Sequence, residues 1–388
     1  MTASPPMALP SDVSEFRAGT VRGAAGGFRV AQAGDGRWWL IDPEDRPFFL
    51  RAVNGVESAE GSPHNPVARL RAWGFNALGP GAEPALRDEG LPFVGAVDFA
   101  AAGTAIRLGG ARLPDVFDPA WPEAAAAHAG EVCLPWCERR ELVGWLVDAG
   151  LGWAQAADAG RPTLLQLCLS LEPQFAAYHA AWEFTLAAYG GRIEGLAKAW
   201  GMPLANKEAV RTLTREEKGI ATRGYARDDA RWTAEFARRF YAVAAAAVRA
   251  HDPRHLVLGG RGATNVDVSW IRAEELATAM AGPVIAGDFT WVGAKFLSHA
   301  GRDRGLTTVE RMLRRGRLAL QRLAAQPGVV GYAWAQWRDG AAEQPPFAGG
   351  LVHISDAEAR EHTELVAACN ERMHALHQGP VPASPNTP

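Results

Sequence analysis

Apolar positions along this chain fall into short runs parted by polar turns, and from the middle of the first hundred residues the runs alternate between strand and helix periods. Residues 28–56 carry two or three short strands separated by AGDG and DPED, both hairpin turn signals. They predict a small antiparallel element ahead of the main fold. PFFLRAVNGVES then reads as a first buried strand ending at Asn54 and Glu57, VARLRAWG as a short amphipathic helix and FNALGP as a second strand. PALRDEG predicts a further helix and LPFVGAVDF a third strand ending at Asp98. After LPDVFDPAW and an Ala-rich helix, LVGWLVDAG is apolar on both faces and stops at Asp148, as a buried fourth strand does.

Helices dominate from Thr163 to Ala250, in runs such as FAAYHAAWEFTLAAYG and WTAEFARRFYAVAAAAVRAHD. The polar stretch NKEAVRTLTREEKGIATRGYARDD between them predicts an irregular lid or rim. HLVLGGR supplies a fifth strand ending at Arg261, VDVSWI a weak sixth, GPVIAGDF a seventh ending at Asp288, and GVVGYAWAQWRDG an eighth ending near Trp334 and Trp337. Strands in this βα order predict an α/β protein, a closed (β/α)8 TIM barrel with a small N-terminal antiparallel β element and a long helical insertion after strand four. The expected organisation is a frayed, disordered N-terminus over residues 1–15, a single barrel domain over 16–376 that includes the N-terminal hairpin element, and a disordered Pro-rich tail over 377–388.

Composition narrows the chemistry. With 40 Lys+Arg against 43 Asp+Glu the net charge is -3, so neither nucleic acid nor an anionic membrane is the expected partner. No apolar run approaches the roughly 18 residues that cross a bilayer, and the start carries no basic segment followed by an apolar one; a soluble cytoplasmic protein is expected. Cys133, Cys137, Cys168 and Cys369 make no disulfide framework, and no second Cys/His pair follows CLPWC at ligand spacing, so reduced thiols and no metal are expected. HExxH, GxSxG and a Walker loop are absent, and LGGRGA is not GxGxxG, so no cofactor is expected. Fourteen Trp change the picture, because indole faces stack on sugar rings as well as filling cores. Nothing in the pattern sets an oligomeric state.

Several segments in one order, GRWWLIDPEDRPFFLRAVNGV, LRAWGFNALG, PDVFDPAW, LVGWLVDAGLGW, YGGRIEGLAKAWG, DPRHLVLGGR, PVIAGDF and VVGYAWAQW, are similar to the β-agarase-like glycoside hydrolases near family 50, within the clan of (β/α)8 retaining glycosidases. The similarity spans about Gly36 to Asp339. It implies an acid/base glutamate at the end of strand four, in an Asp-Asn-Glu-Leu run, and a nucleophile glutamate at the end of strand seven. Retaining hydrolysis needs those carboxyls about 5 to 5.5 Å apart. Here the strand-four run reads Asp148, Ala149, Gly150, Leu151, so the acid/base position is Gly150 and donates no proton. The strand-seven Gly-Glu-Phe reads Gly287, Asp288, Phe289, a carboxylate on a stem shorter by about 1.5 Å.

The resemblance therefore implies a glycoside hydrolase-like protein with a non-standard active site: Asp288 as its chief carboxylate and Asp148, structural in the family pattern, as the candidate proton donor. Glu57 and Asp98 also end strands at the same rim, with pairing to an arginine such as Arg261 as their plainer role. Glu172 and Glu183 flank the insertion, and His64, His179 and His299 are isolated histidines. Asn54, Glu57, Asn76, Arg261 and Asp339 are candidates for the directed hydrogen bonds a polyol requires. Trp153, Trp291, Trp334 and Trp337 are candidate floors for a sugar ring, set against helix-to-barrel packing. The expected ligand is a small carbohydrate or sugar-like molecule. Three functions stay open: catalysis on an intracellular sugar or sugar-like substrate, a catalytically silent binder of carbohydrate or of a partner, and a barrel repurposed for a different biosynthetic reaction that needs one general base.

Overall fold

A computed structural model describes residues 16–108, 111–148, 162–260, 263, 265–273, 282–292, 307–341, 343 and 348–380. Strands β1 (Arg29–Gln32), β2 (Trp38–Ile41) and β3 (Pro47–Phe48) form the small antiparallel sheet. Its turns fall on AGDG and DPED, where Gly36 and Asp45 take φ +89 and +65. Glycine adopts that region freely and Asp tolerates it. Strands β4 (Leu50–Val53), β5 (Ala77–Leu78) and β6 (Phe93–Ala96) follow, then a hairpin of β7 (Ala105–Leu108) and β8 (Ala111–Pro114). Next come β9 (Leu142–Leu146), β10 (Leu256–Gly259), β11 (Val268–Arg272), β12 (Val284–Phe289) and β13 (Val329–Trp334).

Strands β4–β6 and β9–β13 pair in parallel into one closed barrel in the order β10-β11-β12-β13-β4-β5-β6-β9. The expected (β/α)8 barrel is therefore the fold, each expected strand occupying its place. Alternating side chains build two layers. Leu50, Ala52, Ala77, Val94, Leu258, Val268 and Ile285 fill the interior together with Phe28, Val30 and Leu40, so the small sheet plugs the N-terminal end. Trp145, Val257, Ala286, Tyr332 and Trp334 belong to the outer layer beneath the helices. At Gly144 and Gly331 a Cβ would overlap Leu256 and Leu50, so only glycine lets those neighbours close up.

Helix α1 (Pro66–Ala72) is capped by Asn65, whose side chain accepts from the Ala68 amide. The expected helix at PALRDEG is instead a 3-10 turn over Pro84–Glu89, stopped by Gly90 in the left-handed region. Its six residues are too few for the cooperative ladder of an α-helix. Helix α2 (Trp121–Cys133) leads into β9. The insertion consists of α3 (Leu164–Ser170), α4 (Ala176–Ala187), α5 (Ile193–Trp200), α6 (Lys207–Arg215) and α7 (Arg223–His251). The stretch expected to be irregular is thus largely helical: Asn206 caps α6, Thr222 caps α7, and Val210 supplies a buried anchor. Helices α8 (Thr308–Ala324), α9 (Arg360–Glu371) and α10 (Met373–Gln378) complete the ring.

The expected tail boundary is overrun. α10 continues to Gln378, His377 bonds the Trp38 and Ala324 carbonyls, and Arg37 donates to the Gly379 carbonyl at 2.8 Å. Residues 1–15 and 381–388, where disorder was expected, lie outside the described residues. Among the described residues no helix is long and apolar enough to cross a membrane.

Candidate active site

A parallel barrel brings every strand's C-terminal end to one rim, so the ends of β4, β9, β10 and β12 share a face. The rim's most distinctive feature is at the end of β12. Ala286 and Phe289 both pack in the outer layer although three residues apart, and the pairing of β12 with β13 slips between them. The extra residue of this bulge falls at Gly287–Asp288, and Asp288 takes φ +51. The bulge leaves Asp288 exposed in an otherwise buried strand. Bulges re-aim side chains beside active sites, and a non-glycine residue held in this region marks strain that the surroundings impose.

The surroundings are identifiable. Asn54, immediately after β4, donates from Nδ2 to Asp288 Oδ1 at 2.9 Å, and its own amide is fixed by the Trp334 carbonyl at 3.0 Å. Gly79 makes room for Asn54, since a Cβ there would overlap Oδ1 and the Val53 carbonyl. On the other side Trp270 of β11 lays its indole nitrogen against Gly287, where a Cβ would collide with it. Sequence reasoning did not single out Trp270. Its inward place in the weak strand VDVSWI was the available signal.

Asp148 follows β9. Leu146 belongs to the inner layer and Trp145 and Val147 to the outer, so alternation carries Asp148 to the inner side. Tyr241 of α7 donates its hydroxyl to Asp148 Oδ2 at 2.7 Å and accepts the Gly260 amide at 3.0 Å. Burial of the carboxyl in this niche pushes its pKa up from 3.8 to about 6, while the Tyr241 bond and the Gly260 amide pull the other way. Desolvation wins, so Asp148 holds a proton well above the pH at which an exposed aspartate loses it.

The other candidates separate. Glu57 is exposed and held by Arg338, Nε to Oε1 3.1 Å, so its arginine partner is Arg338 in place of the expected Arg261. Asn76 stands before β5, at the opposite end of the barrel: it accepts the Arg51 amide at 2.8 Å and donates to the Phe49 carbonyl at 3.0 Å. There it borders a cleft of about 390 Å³ also lined by Asp42, Glu44, Arg46 and Arg140, whose charges pair as Arg46–Asp42 and Arg140–Glu44. Asn76 therefore does not join Asp288, because a polar residue that precedes a strand sits at the N-terminal rim.

Trp291, Trp334 and Trp337 are each buried to 1% exposure or less and offer no face to a sugar. Trp291 donates to His362 at 2.9 Å and Trp334 to the Gly349 carbonyl at 2.9 Å, and the two rings meet edge-on at 4.7 Å. Gly316 of α8 leaves the space Trp291 fills. Helix-to-barrel packing is the role of all three in this structure. Asp339 is buried and takes the Gly350 amide and His353, both bonds serving the loop after β13. Asp98 caps a 3-10 turn through the Ala100 amide, and His179 bonds the Pro173 carbonyl. Glu172 approaches Arg211 at 3.9 Å, while Glu183 lies exposed on α4 and His64 exposed ahead of α1. Ala149, Gly150, Trp153, Arg261 and His299 lie outside the described residues. The four thiols are free, and burial pushes Cys133 and Cys168 up to about 12. Among the described residues no group of three or more His, Cys, Asp or Glu is placed to hold a metal ion.

The closed barrel is a fold that this chain has in common with known proteins. The chain is similar in sequence to one β-agarase and in fold to several agarase structures. Beta-agarase A of Vibrio sp. (strain JT0107) is 28% identical over 235 residues, 56% of this chain and 23% of that protein. The chain thus spans under a quarter of the curated relative's length. Among solved structures, PfGH50B superposes with a TM-score of 0.66 at 17% identity, covering 96% of this chain and 70% of that one. An exo-beta-agarase gives 0.66 at 18% identity over 95% and 68%, and the agarase AgWH50C gives 0.61 at 19% over 92% and 66%. No family model matches the chain.

Proposed function

We propose that this glycoside hydrolase-like barrel acts on a sugar or sugar-like substrate through a non-standard carboxyl pair, Asp288 and Asp148. The observation that carries the proposal is the bulge that turns Asp288 out of β12 at φ +51 onto the Asn54 amide. A strand that served packing alone has no use for that conformation. In this scheme Asp288 faces the anomeric carbon, directly or through a water, and Asp148 gives its proton to the leaving oxygen. The affinity of Asp148 for a proton suits an acid working near neutral pH.

Aryl glycosides and intact agaro-oligosaccharides, the latter chosen because the relatives are agarases, are the first substrates to screen. Asp288→Asn is expected to abolish turnover, and Asp148→Asn to lower kcat by about 10²–10⁴-fold. The anomer formed first, read by proton NMR, separates retention from inversion. Full turnover by Asp288→Asn sinks the proposal.

The second function, a silent carbohydrate binder, is favoured by the shortened carboxylate and by glycine at the family's acid/base position. Calorimetric binding that survives Asp288→Asn, with no product from wild type, decides for it.

A further inference from the structure

Tyr241 and Gly260 build a device around Asp148 that the two-carboxylate scheme does not by itself require. The tyrosine hydroxyl has one hydrogen and is already the acceptor for the Gly260 amide at 3.0 Å, so its hydrogen is directed along the 2.7 Å contact to Asp148 Oδ2. An oxygen that receives this hydrogen is poorly placed to carry the carboxyl proton as well. Gly260 enforces the arrangement, because a Cβ there would overlap both Asp148 Oδ2 and the Tyr241 hydroxyl. The geometry is assembled from three places in the chain: the end of β9, the residue after β10, and the middle of α7, with Tyr241 lying 93 residues from Asp148. Among the described residues Tyr241 is the titratable group bonded to Asp148, and Gly260 contributes backbone alone.

We propose that Tyr241 is a positioning residue that keeps Asp148 Oδ2 an acceptor and so confines the transferable proton of Asp148 to Oδ1. The catalytic part of this rests on Asp148 being the acid of the proposed function. In that step the Oδ1–H bond breaks and the proton goes to the glycosidic oxygen. The C–O bond cleaves with its electron pair on that oxygen, and the anomeric carbon is taken either by Asp288, in an ester that water then cleaves, or by a water whose proton passes to Asp288 and on to solvent. Asp148 is left as carboxylate, and the charge it gains is met by a hydrogen bond already in place on Oδ2. Such a preset donor stabilises the developing charge without reorganisation. Asp148 recovers its proton from solvent after each turnover.

Removing the donor weakens the carboxylate more than the neutral carboxyl, because the bond to a charged acceptor is the stronger, so Tyr241→Phe should raise the titration midpoint of Asp148, by about one pH unit. Carbon-13 NMR of the aspartate carboxyls reads it, with Asp148 assigned by the signal missing from Asp148→Asn. A midpoint unchanged in Tyr241→Phe overturns the proposal. Should that variant fail to fold, wild type still answers: the Tyr241 ring Cζ resonance must move with pH at the midpoint of Asp148, and a flat resonance across that range overturns the proposal equally. The same variant should carry the alkaline limb of kcat/KM upward by the same interval. A moved carboxyl titration with an unmoved limb, or with no turnover in any variant, upholds the hold of Tyr241 on Asp148 and removes Asp148 from the acid role.

Discussion

At Asp288 the backbone conformation and the side chain make opposite demands, and substitution separates them. Held at φ +51, an aspartate costs about 1 kcal/mol relative to glycine, a cost the Asn54 bond offsets in part. Asp288→Ala and Asp288→Gly both lose the carboxylate and the bond, and differ in whether a Cβ occupies the left-handed region. The glycine variant is expected to be more stable than the alanine variant by about 1 kcal/mol, read from urea midpoints at constant m-value. Equal midpoints would mean that the bulge relaxes when the carboxylate is gone. Asp148 behaves oppositely with pH. Its folded value of about 6 lies above the ordinary 3.8, so between those values the folded protein holds a proton the unfolded chain has released. Stability therefore falls as pH rises through this window and stays lower above it, by up to about 3 kcal/mol. Asp148→Asn keeps an acceptor for Tyr241 and carries no charge. Its stability should match that of wild type near pH 4 and exceed it by about 2 kcal/mol at pH 7, in thermal melts across that range.

Among the elements, what the sequence made legible was local. Each barrel strand is a short apolar run with its own turn signals, and the carboxylates Asp148 and Asp288 are visible because they end such runs abruptly. The parts that stayed hidden depend on partners far along the chain. Trp334 and Tyr332 lie on one face, as period two requires, but which face points outward is set by His362 and Asn370 of α9. The hairpin β7–β8 carries a two-glycine signal in AIRLGGARL that is easily passed over between larger elements. Helix α6 looks irregular because eight of its nine residues are not buried, and its formation rests on the Asn206 cap, on the apolar contacts of Val210 and Leu213, and on bonds to α3 such as that of Arg211 to the Ser170 carbonyl. Asn76 shows the limit of reading by residue type: at the start of a strand its amide serves the backbone of β4, whereas Asn54, at the end of one, reaches the rim.

Across the whole molecule the insertion between β9 and β10 is joined to the rest of the fold along the middle and at the C-terminal end of its longest helix. Phe117 and Trp232 stack at 4.8 Å, Trp121 and Phe240 stack at 6.2 Å, and Tyr241 reaches the rim at Asp148. At its far end, Asp252 receives the indole of Trp145 at 2.7 Å and His255 at 2.7 Å, so the chain leaving α7 is tied to β9 just before it enters β10. One buried apolar cluster runs from the outer layer of the barrel through the insertion, so the two share a core. The insertion is expected to unfold together with the barrel in one cooperative transition. Tryptophan fluorescence and far-UV circular dichroism should then give the same midpoint in urea. Trp232→Ala empties a fully buried site between α7 and the loop before α2, at a cost of about 3–5 kcal/mol. If the insertion and barrel are one unit, this variant shifts both signals to lower urea by the same amount. An insertion that folds apart from the barrel would instead give an early circular-dichroism transition, with the barrel melting where it does in wild type.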